Sequence, residues 1–205
     1  MFSNLQINRS LARKPAMERS GKVLSDAFLQ NEWVEIQAAQ TDPAAFAPLY
    51  ERYYEPIFRF IYKRCGSEDL SGDLCAQVFL QALQKLPSYV FKGVPFSAWL
   101  FRIAINELAQ YFRKQSKQRT VSFEDADLPE LFAGTLEEGS DILDHLPKVL
   151  EILDQLKTKD MLLIEMRFFE HRPYKEISEI LEISVSNAKV RVHRLLDRIQ
   201  KKINA

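Results

Sequence analysis

The stretch PYKEISEILEISVSNAKVRVHRLLDRIQKKI, residues 173–203, contains two amphipathic helical patterns separated by a tight turn. Apolar residues recur at helical spacing on both sides of Glu182-Ile183-Ser184, and Ser184 is placed to cap the second helix. A short helix, a tight turn with an apolar residue and a longer helix are typical of a helix-turn-helix. The sequence therefore predicts a helix-turn-helix domain in this stretch.

The second of these predicted helices carries many basic residues and one acidic residue, Asp197. Asparagine and arginine side chains pair with base edges in the major groove of DNA, and lysine and arginine also contact phosphates. A merely solvated basic face is the alternative, which the preceding helix and turn disfavour. We therefore predict that the helix binds duplex DNA through its outward polar residues, Ser186, Asn187, Lys189, Arg191 and Arg194.

Residues 25–117 also show helical periodicity and clear helix-end signals. Predicted helix starts are Ser25, Asp42-Pro43 and Ser67, and Gly66 is a predicted C-cap. A fourth helix is predicted from near Ser97. No window alternates with a period of two over more than a few residues, so the predicted fold class is all-α. Two short helices are predicted further along the chain, over residues 146–157 and 159–170.

Charged residues are unevenly distributed along the chain, although its 28 basic and 28 acidic residues give a formal net charge of zero. Residues 118–147 carry one basic and eight acidic residues, together with proline and glycine. Low periodicity with charge of one sign is typical of a linker. We therefore predict two small helical domains joined by an acidic linker. The predicted parts are a disordered tail (1–24), a helical domain (25–117), the linker (118–145) and the helix-turn-helix domain (146–205).

The composition disfavours several classes of protein. Two cysteines, Cys65 and Cys75, do not make a disulfide framework, and no stretch approaches the roughly 20 apolar residues of a membrane helix. The first residues lack the apolar segment of a secretory signal. Metal-ligand spacing and a glycine-rich phosphate loop are both missing from the sequence. We expect a cytoplasmic protein without membrane insertion, metal, cofactor or enzymatic activity.

Three segments, in order along the chain, resemble a bacterial RNA polymerase sigma factor of the extracytoplasmic-function (ECF) type. They are DPAAFAPLYERYYEPIFRFIYKR (42–64), FKGVPFSAWLFRIAINELAQYFRK (91–114) and YKEISEILEISVSNAKVRVHRLL (174–196). The resemblance implies a protein that binds core RNA polymerase and directs promoter recognition and opening for transcription initiation. The implied partners are core polymerase, promoter DNA as duplex and as melted non-template strand, and an anti-sigma factor.

In this family the helix that corresponds to SEDLSGDLCAQVFLQAL, residues 67–83, binds the polymerase clamp. Ala76-Gln77 stands where the family usually has glutamine followed by an acid, so one charge expected to face the polymerase is absent. Val78 and Phe79 are expected in the core. The polymerase contacts that the resemblance implies are Asp69, Asp73, Leu74, Gln77, Leu80 and Gln81.

The loop SYVFKGVPF, residues 88–96, and the helix after it resemble the promoter-opening part of the family. Unstacking a base costs about a few kcal/mol, which an aromatic or close-fitting pocket offsets. Asn106 stands at the family's base-recognising asparagine, and an unpaired amide in a core would be costly. Trp99 is expected to be a core anchor. The implied contacts to the melted element are Tyr89, Phe91, Lys92, Phe96, Arg102, Asn106, Arg113 and Lys114.

In the helix-turn-helix, the resemblance extends the polar set of the second helix. Val190 replaces a small polar residue and is expected to contact a thymine methyl group. The family commonly has glycine where Glu182 stands, and we expect a near-helical conformation and a less sharp turn there. The implied contacts to the upstream element are Ser186, Asn187, Lys189, Val190, Arg191, His193 and Arg194.

Two other functions are compatible with parts of this sequence. A helix-turn-helix transcriptional regulator would bind duplex DNA through residues 173–203 and use the first block for dimerisation or a ligand. A helical interaction module without DNA activity would need neither the aromatic loop nor the basic helix. Binding of core polymerase separates a sigma factor from a regulator, because a regulator needs no stoichiometric polymerase binding.

Overall fold

The computed structural model describes residues 25–115, 151–152 and 155–203, and within these ranges every regular element is a helix. The tail and the acidic linker predicted from the sequence lie outside the described residues. In the described ranges no helix is long and apolar enough to cross a membrane, and no group of three or more His, Cys, Asp or Glu residues is placed to hold a metal ion. The all-α prediction is confirmed. The α-helices are α1 (Asp26–Thr41), α2 (Ala47–Cys65), α3 (Glu68–Lys85), α4 (Phe96–Gln115), α5 (Thr158–Ile164), α6 (Tyr174–Leu181) and α7 (Val185–Ile203).

The helix ends in the first domain follow the local signals of the sequence. The Ser25 hydroxyl accepts a first-turn N–H of α1 at 3.2 Å, and the Asp42 carboxylate caps a 3-10 turn, Pro43–Phe46, that leads into α2. Gly66 ends α2 with φ 66°, a left-handed conformation that glycine adopts without a steric penalty. Ser67 caps α3. These four predicted ends are confirmed.

The core of the first domain lies where α2, α3 and α4 pack together. Phe96, the first residue of α4, is fully buried, and its ring lies 6.4 Å from Phe46 and 6.1 Å from Tyr53. Val78 and Phe79 of α3 are buried as predicted. Burying a side chain of this size contributes about 1.5–3 kcal/mol. The start of α4 is therefore anchored in the core, and this fixes the end of the preceding loop.

The C-terminal domain is built from α5, α6 and α7, with α7 packed on both of the others. The helix predicted over residues 159–170 is interrupted, because α5 widens after Ile164 into a π-helical turn, Glu165–Phe169. Residues 151–152 are helical and 155–157 are not, so the helix predicted over 146–157 ends early; its other residues lie outside the described ranges.

The turn of the helix-turn-helix differs from the sequence expectation at Glu182. This residue ends α6 with φ 54° and ψ 45°, a left-handed conformation, and not the near-helical one expected. A left-handed residue costs roughly 1–2 kcal/mol when it is not glycine, so the fold keeps the sharp turn at some expense of stability. The Ser184 hydroxyl then accepts the Asn187 N–H at 3.1 Å and caps α7, as predicted.

Candidate nucleic-acid interface

Helix α7 presents most of its predicted DNA-contact residues to solvent. Ala188 and Val192 are buried, whereas Val190, between them, keeps 47% of its surface exposed. An apolar side chain at this place suits contact with a thymine methyl group among polar neighbours. The other exposed residues of the predicted set are Ser186, Asn187, Lys189, His193 and Arg194.

Arg191 has an acidic partner on another helix of its own domain, whereas His193 lies 3.8 Å from Asp197 of α7 itself. The Arg191 guanidinium donates to the Asp160 carboxylate of α5 at 2.9 Å. A phosphate contact by Arg191 would compete with this ion pair. The ammonium of Lys189 lies 5.9 Å from the Tyr174 ring and is exposed. Lys189 is therefore more accessible to a phosphate than Arg191.

The aromatic residues of the loop between α3 and α4 are not equally accessible. Phe91 is half-buried and stacks on Trp33 of α1 with 5.6 Å between ring centroids. Tyr89 is only 8% exposed and packs on Trp99 at 4.9 Å. Phe96 is enclosed by the core, which corrects the prediction that it contacts a melted base. Phe91 is the ring of this set with surface available for stacking.

A cavity of about 300 Å³ lies between this loop and the start of α4. Its volume is in the range of small-ligand pockets. Trp99, expected as a core anchor, is half-buried and lines this cavity in addition to its core contacts. An aromatic wall with cations at the rim suits an unstacked base and its phosphate. The lining includes Lys85, Tyr89, Lys92, Trp99, Arg102 and, from α6, Glu179.

Asn106 is exposed on α4, so it is not a satisfied core amide. It lines a shallow groove with Arg113, while Lys114 is exposed beyond it. Lys85 lines both this groove and the loop cavity, which places a cation between the two. Sequence reasoning missed Lys85; its signal is that it is the basic residue in the last turn of α3.

Helix α1 holds both ends of the loop, a role that the sequence did not indicate. The Gln40 amide donates to the carbonyl oxygens of Leu86 and Tyr89, both at 2.9 Å. At the other end, the buried Glu32 carboxylate accepts the Phe96 N–H at 2.7 Å. These contacts join residues 46 to 64 positions apart, so no local pattern could have revealed them.

Glu32 also accepts a hydrogen bond from the Tyr53 hydroxyl. Burial raises the pKa of the Glu32 carboxyl above its ordinary value, although the bonds from Tyr53 and Phe96 and the nearby Arg52 guanidinium act in the opposite direction. An acid whose pKa is higher in the folded state stabilises the fold most at low pH and loses this contribution as pH rises through the folded-state pKa.

We expect a Glu32→Gln variant to gain stability relative to the wild type as pH rises above 4.5. The amide keeps an acceptor for the Phe96 N–H and does not titrate. The difference in free energy of unfolding should change by up to about 1.4 kcal/mol per pH unit in the window between the unfolded and folded pKa values. Urea denaturation of both proteins at several pH values measures it, and a pH-independent difference would contradict the expectation.

The predicted polymerase-binding residues of α3 largely share one exposed side. Asp69, Asp73 and Gln77 follow one another at intervals of four and are exposed, and Leu80 keeps 48% of its surface in solvent. Leu74 and Gln81 are partly buried, and the Gln81 amide donates to the buried Glu107 carboxylate. The four exposed residues therefore form a continuous surface, and the partly buried Leu74 and Gln81 support it.

An aromatic row on α2, whose first two rings contact Phe79 of α3, was not singled out in the sequence. The rings of four residues at intervals of four follow one another with centroids 5.3, 6.0 and 6.1 Å apart. The first pair is tilted at 42°, and the other two pairs are stacked. The first and last rings are more than 40% exposed. The four-residue spacing was the available signal, because such residues lie on one helix face. The row is Tyr50, Tyr54, Phe58 and Tyr62.

Comparison with known proteins identifies two successive family regions in the chain. The model of Sigma-70 region 2 matches residues 49–118, and the model of Sigma-70, region 4 matches residues 146–199. The chain is also 27% identical over 195 residues to the ECF RNA polymerase sigma factor BldN of Streptomyces coelicolor, with 91% of this chain and 69% of BldN covered. The chain belongs to the ECF sigma factors.

This sigma factor is similarly related to the ECF RNA polymerase sigma factor SigW of Bacillus subtilis. The two are 26% identical over 182 residues, which cover 82% of this chain and 93% of SigW. Among solved structures, CnrH in complex with the cytosolic domain of CnrY aligns with a TM-score of 0.52 at 20% identity, covering 82% of this chain and 94% of that one. This alignment shows a shared fold.

Within the sigma factor, the two candidate DNA surfaces fall in different regions. The Asn106 groove and all of the loop cavity except Glu179 lie within the region 2 match, and the exposed polar face of α7 lies within the region 4 match. The chain directs promoter recognition as a subunit of RNA polymerase, and a regulator that acts without polymerase is not favoured.

Proposed function

We propose that this sigma factor divides promoter recognition between its two domains. The polar face of α7 contacts the duplex upstream element. The loop of residues 88–96 and helix α4 capture the melted non-template strand. The observation that carries this proposal is the separation of exposed nucleic-acid-type side chains into two surfaces, one around Asn106 and one around Lys189.

The exposed side of α3 is proposed as the polymerase contact. Asp69 and Asp73 supply negative charge, Leu80 supplies an apolar anchor, and Gln77 keeps a polar group where the family has more charge. Charge complementarity raises association rates and selects partners, whereas an exposed apolar anchor contributes binding free energy. The departure at Ala76-Gln77 should therefore slow polymerase capture more than it shortens the lifetime of the complex.

The remaining expectations belong to the same proposal. The domain limits stay at 25–117 and 146–205, with the acidic linker at 118–145 and the tail at 1–24. We propose action on promoter DNA in the cytoplasm, no catalytic activity or cofactor of the chain itself, and control by an anti-sigma factor. The structure of CnrH in complex with the cytosolic domain of CnrY supports control by an anti-sigma factor by analogy.

In vitro transcription with purified core polymerase tests the function directly. Genomic DNA is transcribed with and without the full chain, and the 5′ ends of the transcripts are sequenced. We expect a set of start sites that appears only with the chain, together with co-elution of the chain and core polymerase. Absence of both results would overturn the sigma assignment in favour of a regulator.

We expect Lys189→Ala to weaken binding to the promoter duplex identified in that assay. Loss of one phosphate contact should lower the slope of log K against log salt by about 0.9, because one fewer counterion is released. Lys201→Ala is the matched control, since it removes the same charge near the other end of α7. Equal slopes for the wild type and Lys189→Ala would remove Lys189 from the DNA surface.

A further inference from the structure

Helix α1 contacts the loop of residues 88–96 through side chains on one of its faces. Gln40 meets the start of the loop, Trp33 its middle and Glu32 its end. Ile36, which lies between them in sequence, is fully buried. Residues three or four positions apart lie on the same side of a helix. One side of α1 is therefore committed to the loop and to the core beneath it.

The Gln40 amide binds the backbone where α3 gives way to the loop. Helix α3 ends at Lys85 and is followed by a 3-10 turn, Leu86–Ser88. The last carbonyl groups of a helix need partners from outside it. The Gln40 side-chain nitrogen lies 2.9 Å from the carbonyl oxygens of both Leu86 and Tyr89. Because this nitrogen carries two hydrogens, one side chain can bind both carbonyl groups.

The backbone held by Gln40 forms part of the wall of the loop cavity. Ser88 and Tyr89 line this cavity from the loop, and Trp99 and Arg102 line it from α4. The Tyr89 ring lies 4.9 Å from the Trp99 ring, which is a direct contact between the two sides. A shift of the Tyr89 backbone therefore changes the space that the cavity offers to a base.

Gln40 is the contact between α1 and the loop that can be changed with least effect on the core. The Glu32 carboxylate is buried and also accepts a hydrogen bond from the Tyr53 hydroxyl, so it serves the core as well as the loop. The Trp33 ring is half-buried and packs against the Phe91 ring. Gln40 is half-buried, and its amide binds the loop segment through backbone atoms. Its substitution therefore isolates the effect of loop position.

We infer that Gln40 is a positioning residue for capture of the melted strand, which sets the width of the loop cavity by holding the carbonyl oxygens of Leu86 and Tyr89. The inference rests on the proposed function, because it takes this cavity as the site of the unstacked base. Without the amide, the loop moves relative to α4, and the cavity captures its preferred base more slowly and discriminates less between bases. Small misplacements at a site can cost up to about 100-fold in rate.

The inference also places part of base preference outside the family match. Helix α1 ends at Thr41, and the match to Sigma-70 region 2 begins at residue 49. The loop and α4 lie within that match, and Gln40 lies before it. A helix that precedes the matched region thus determines how the matched loop is held.

The test compares opening rates of holoenzymes assembled from purified core polymerase and the full chain. The templates are a promoter found by start-site mapping and its single-base variants at each position of the minus-ten element. The lag before abortive transcripts accumulate gives the rate of opening. Gln40→Met keeps the length of the side chain and removes both donors. We expect opening on the parent promoter to slow by about 5- to 30-fold, and the rate ratio between the parent and the most defective single-base variant to fall by about 3-fold or more.

Gln40→Lys tests for rescue, because an ammonium group carries three donors for the same two carbonyl oxygens. We expect it to recover most of the rate ratio. Gln37→Met and Gln37→Lys are the matched controls, since Gln37 is an exposed amide on α1 that lines neither the loop cavity nor the Asn106 groove. Both controls should keep the wild-type ratio, and Gln37→Lys also measures the effect of an added charge on this helix.

Uniform slowing of Gln40→Met on every template, with unchanged rate ratios, would mean that Gln40 supports only the folded state, and the inference would be overturned. Wild-type rates for Gln40→Met, its unfolding at the assay temperature in thermal denaturation, or no recovery of the ratio by Gln40→Lys would overturn it as well. The wild-type holoenzyme tests the proposed function separately. Absence of start sites with the wild type would refute the sigma function, and the site of the inference with it.

Discussion

An Asn106→Ala variant should keep wild-type affinity for core polymerase and lose about 5- to 150-fold in the formation of open promoter complexes. The range follows from roughly 1–3 kcal/mol for one good side-chain contact to a base. Asn106 is exposed on α4, so removing its amide leaves no buried polar group without a partner. Thermal stability should stay within about 0.5 kcal/mol of the wild type, as is usual for surface substitutions.

Templates with a premelted minus-ten bubble separate promoter opening from promoter binding. The bubble provides the unstacking free energy in advance, so it should restore part of the activity of Asn106→Ala. Gln37→Ala is the control, because Gln37 is an exposed amide on α1 that lines neither the Asn106 groove nor the loop cavity. Potassium permanganate footprinting measures opening on both templates. Joint loss of stability and polymerase binding, without rescue by the bubble, would refute the base contact.

Phe96→Ala should mainly lower stability and Phe91→Ala should mainly slow promoter opening, although both remove a phenyl ring from the same loop. Phe96 is fully buried among aromatic rings, so truncation should destabilise the first domain by about 3–5 kcal/mol. Phe91 is half-buried against Trp33, and losing that stacked pair should cost only about 0.5–1.5 kcal/mol. Urea denaturation gives both values.

For promoter opening, Phe91→Ala should have the larger specific effect. Phe91→Ala should remain folded and bind polymerase, yet open promoters more slowly, because base–aromatic stacking contributes roughly 1–3 kcal/mol per base. Phe96→Ala, at temperatures where it is folded, should open promoters in proportion to its folded fraction. A stable Phe96→Ala that specifically fails at opening would restore Phe96 as a base contact.

Local signals were enough to place the helices of the first domain. A serine cap at Ser25, the Asp42-Pro43 start and the left-handed Gly66 each act within one turn of the chain, so neighbouring residues determine them. The buried positions Val78 and Phe79 followed from helical periodicity for the same reason. The resemblance to ECF sigma factors then identified the order of the functional segments.

Partners distant in sequence were not predictable in this way. Phe96 was expected at the DNA surface because the loop is rich in aromatic residues, and only the packing of α2, α3 and α4 shows that its ring points into the core. The Arg191–Asp160 ion pair joins residues 31 positions apart. The Glu32 carboxylate accepts a hydrogen bond from the Phe96 N–H, 64 positions away in sequence, at the end of the loop. Composition carries no information about such pairings.

The sequence by itself determined the all-α class, the helix limits of the first domain, the helix-turn-helix and the identity of most exposed polar residues, because helix propensity, caps and periodicity act over a few residues. Tertiary structure alone decided which of those residues are accessible. The pairs Lys92–Glu179 and Arg102–Glu182 join residues 80 to 87 positions apart. They arise because packing brings α6 onto α4, and charge attraction at short range then pairs whichever groups the fold has placed together.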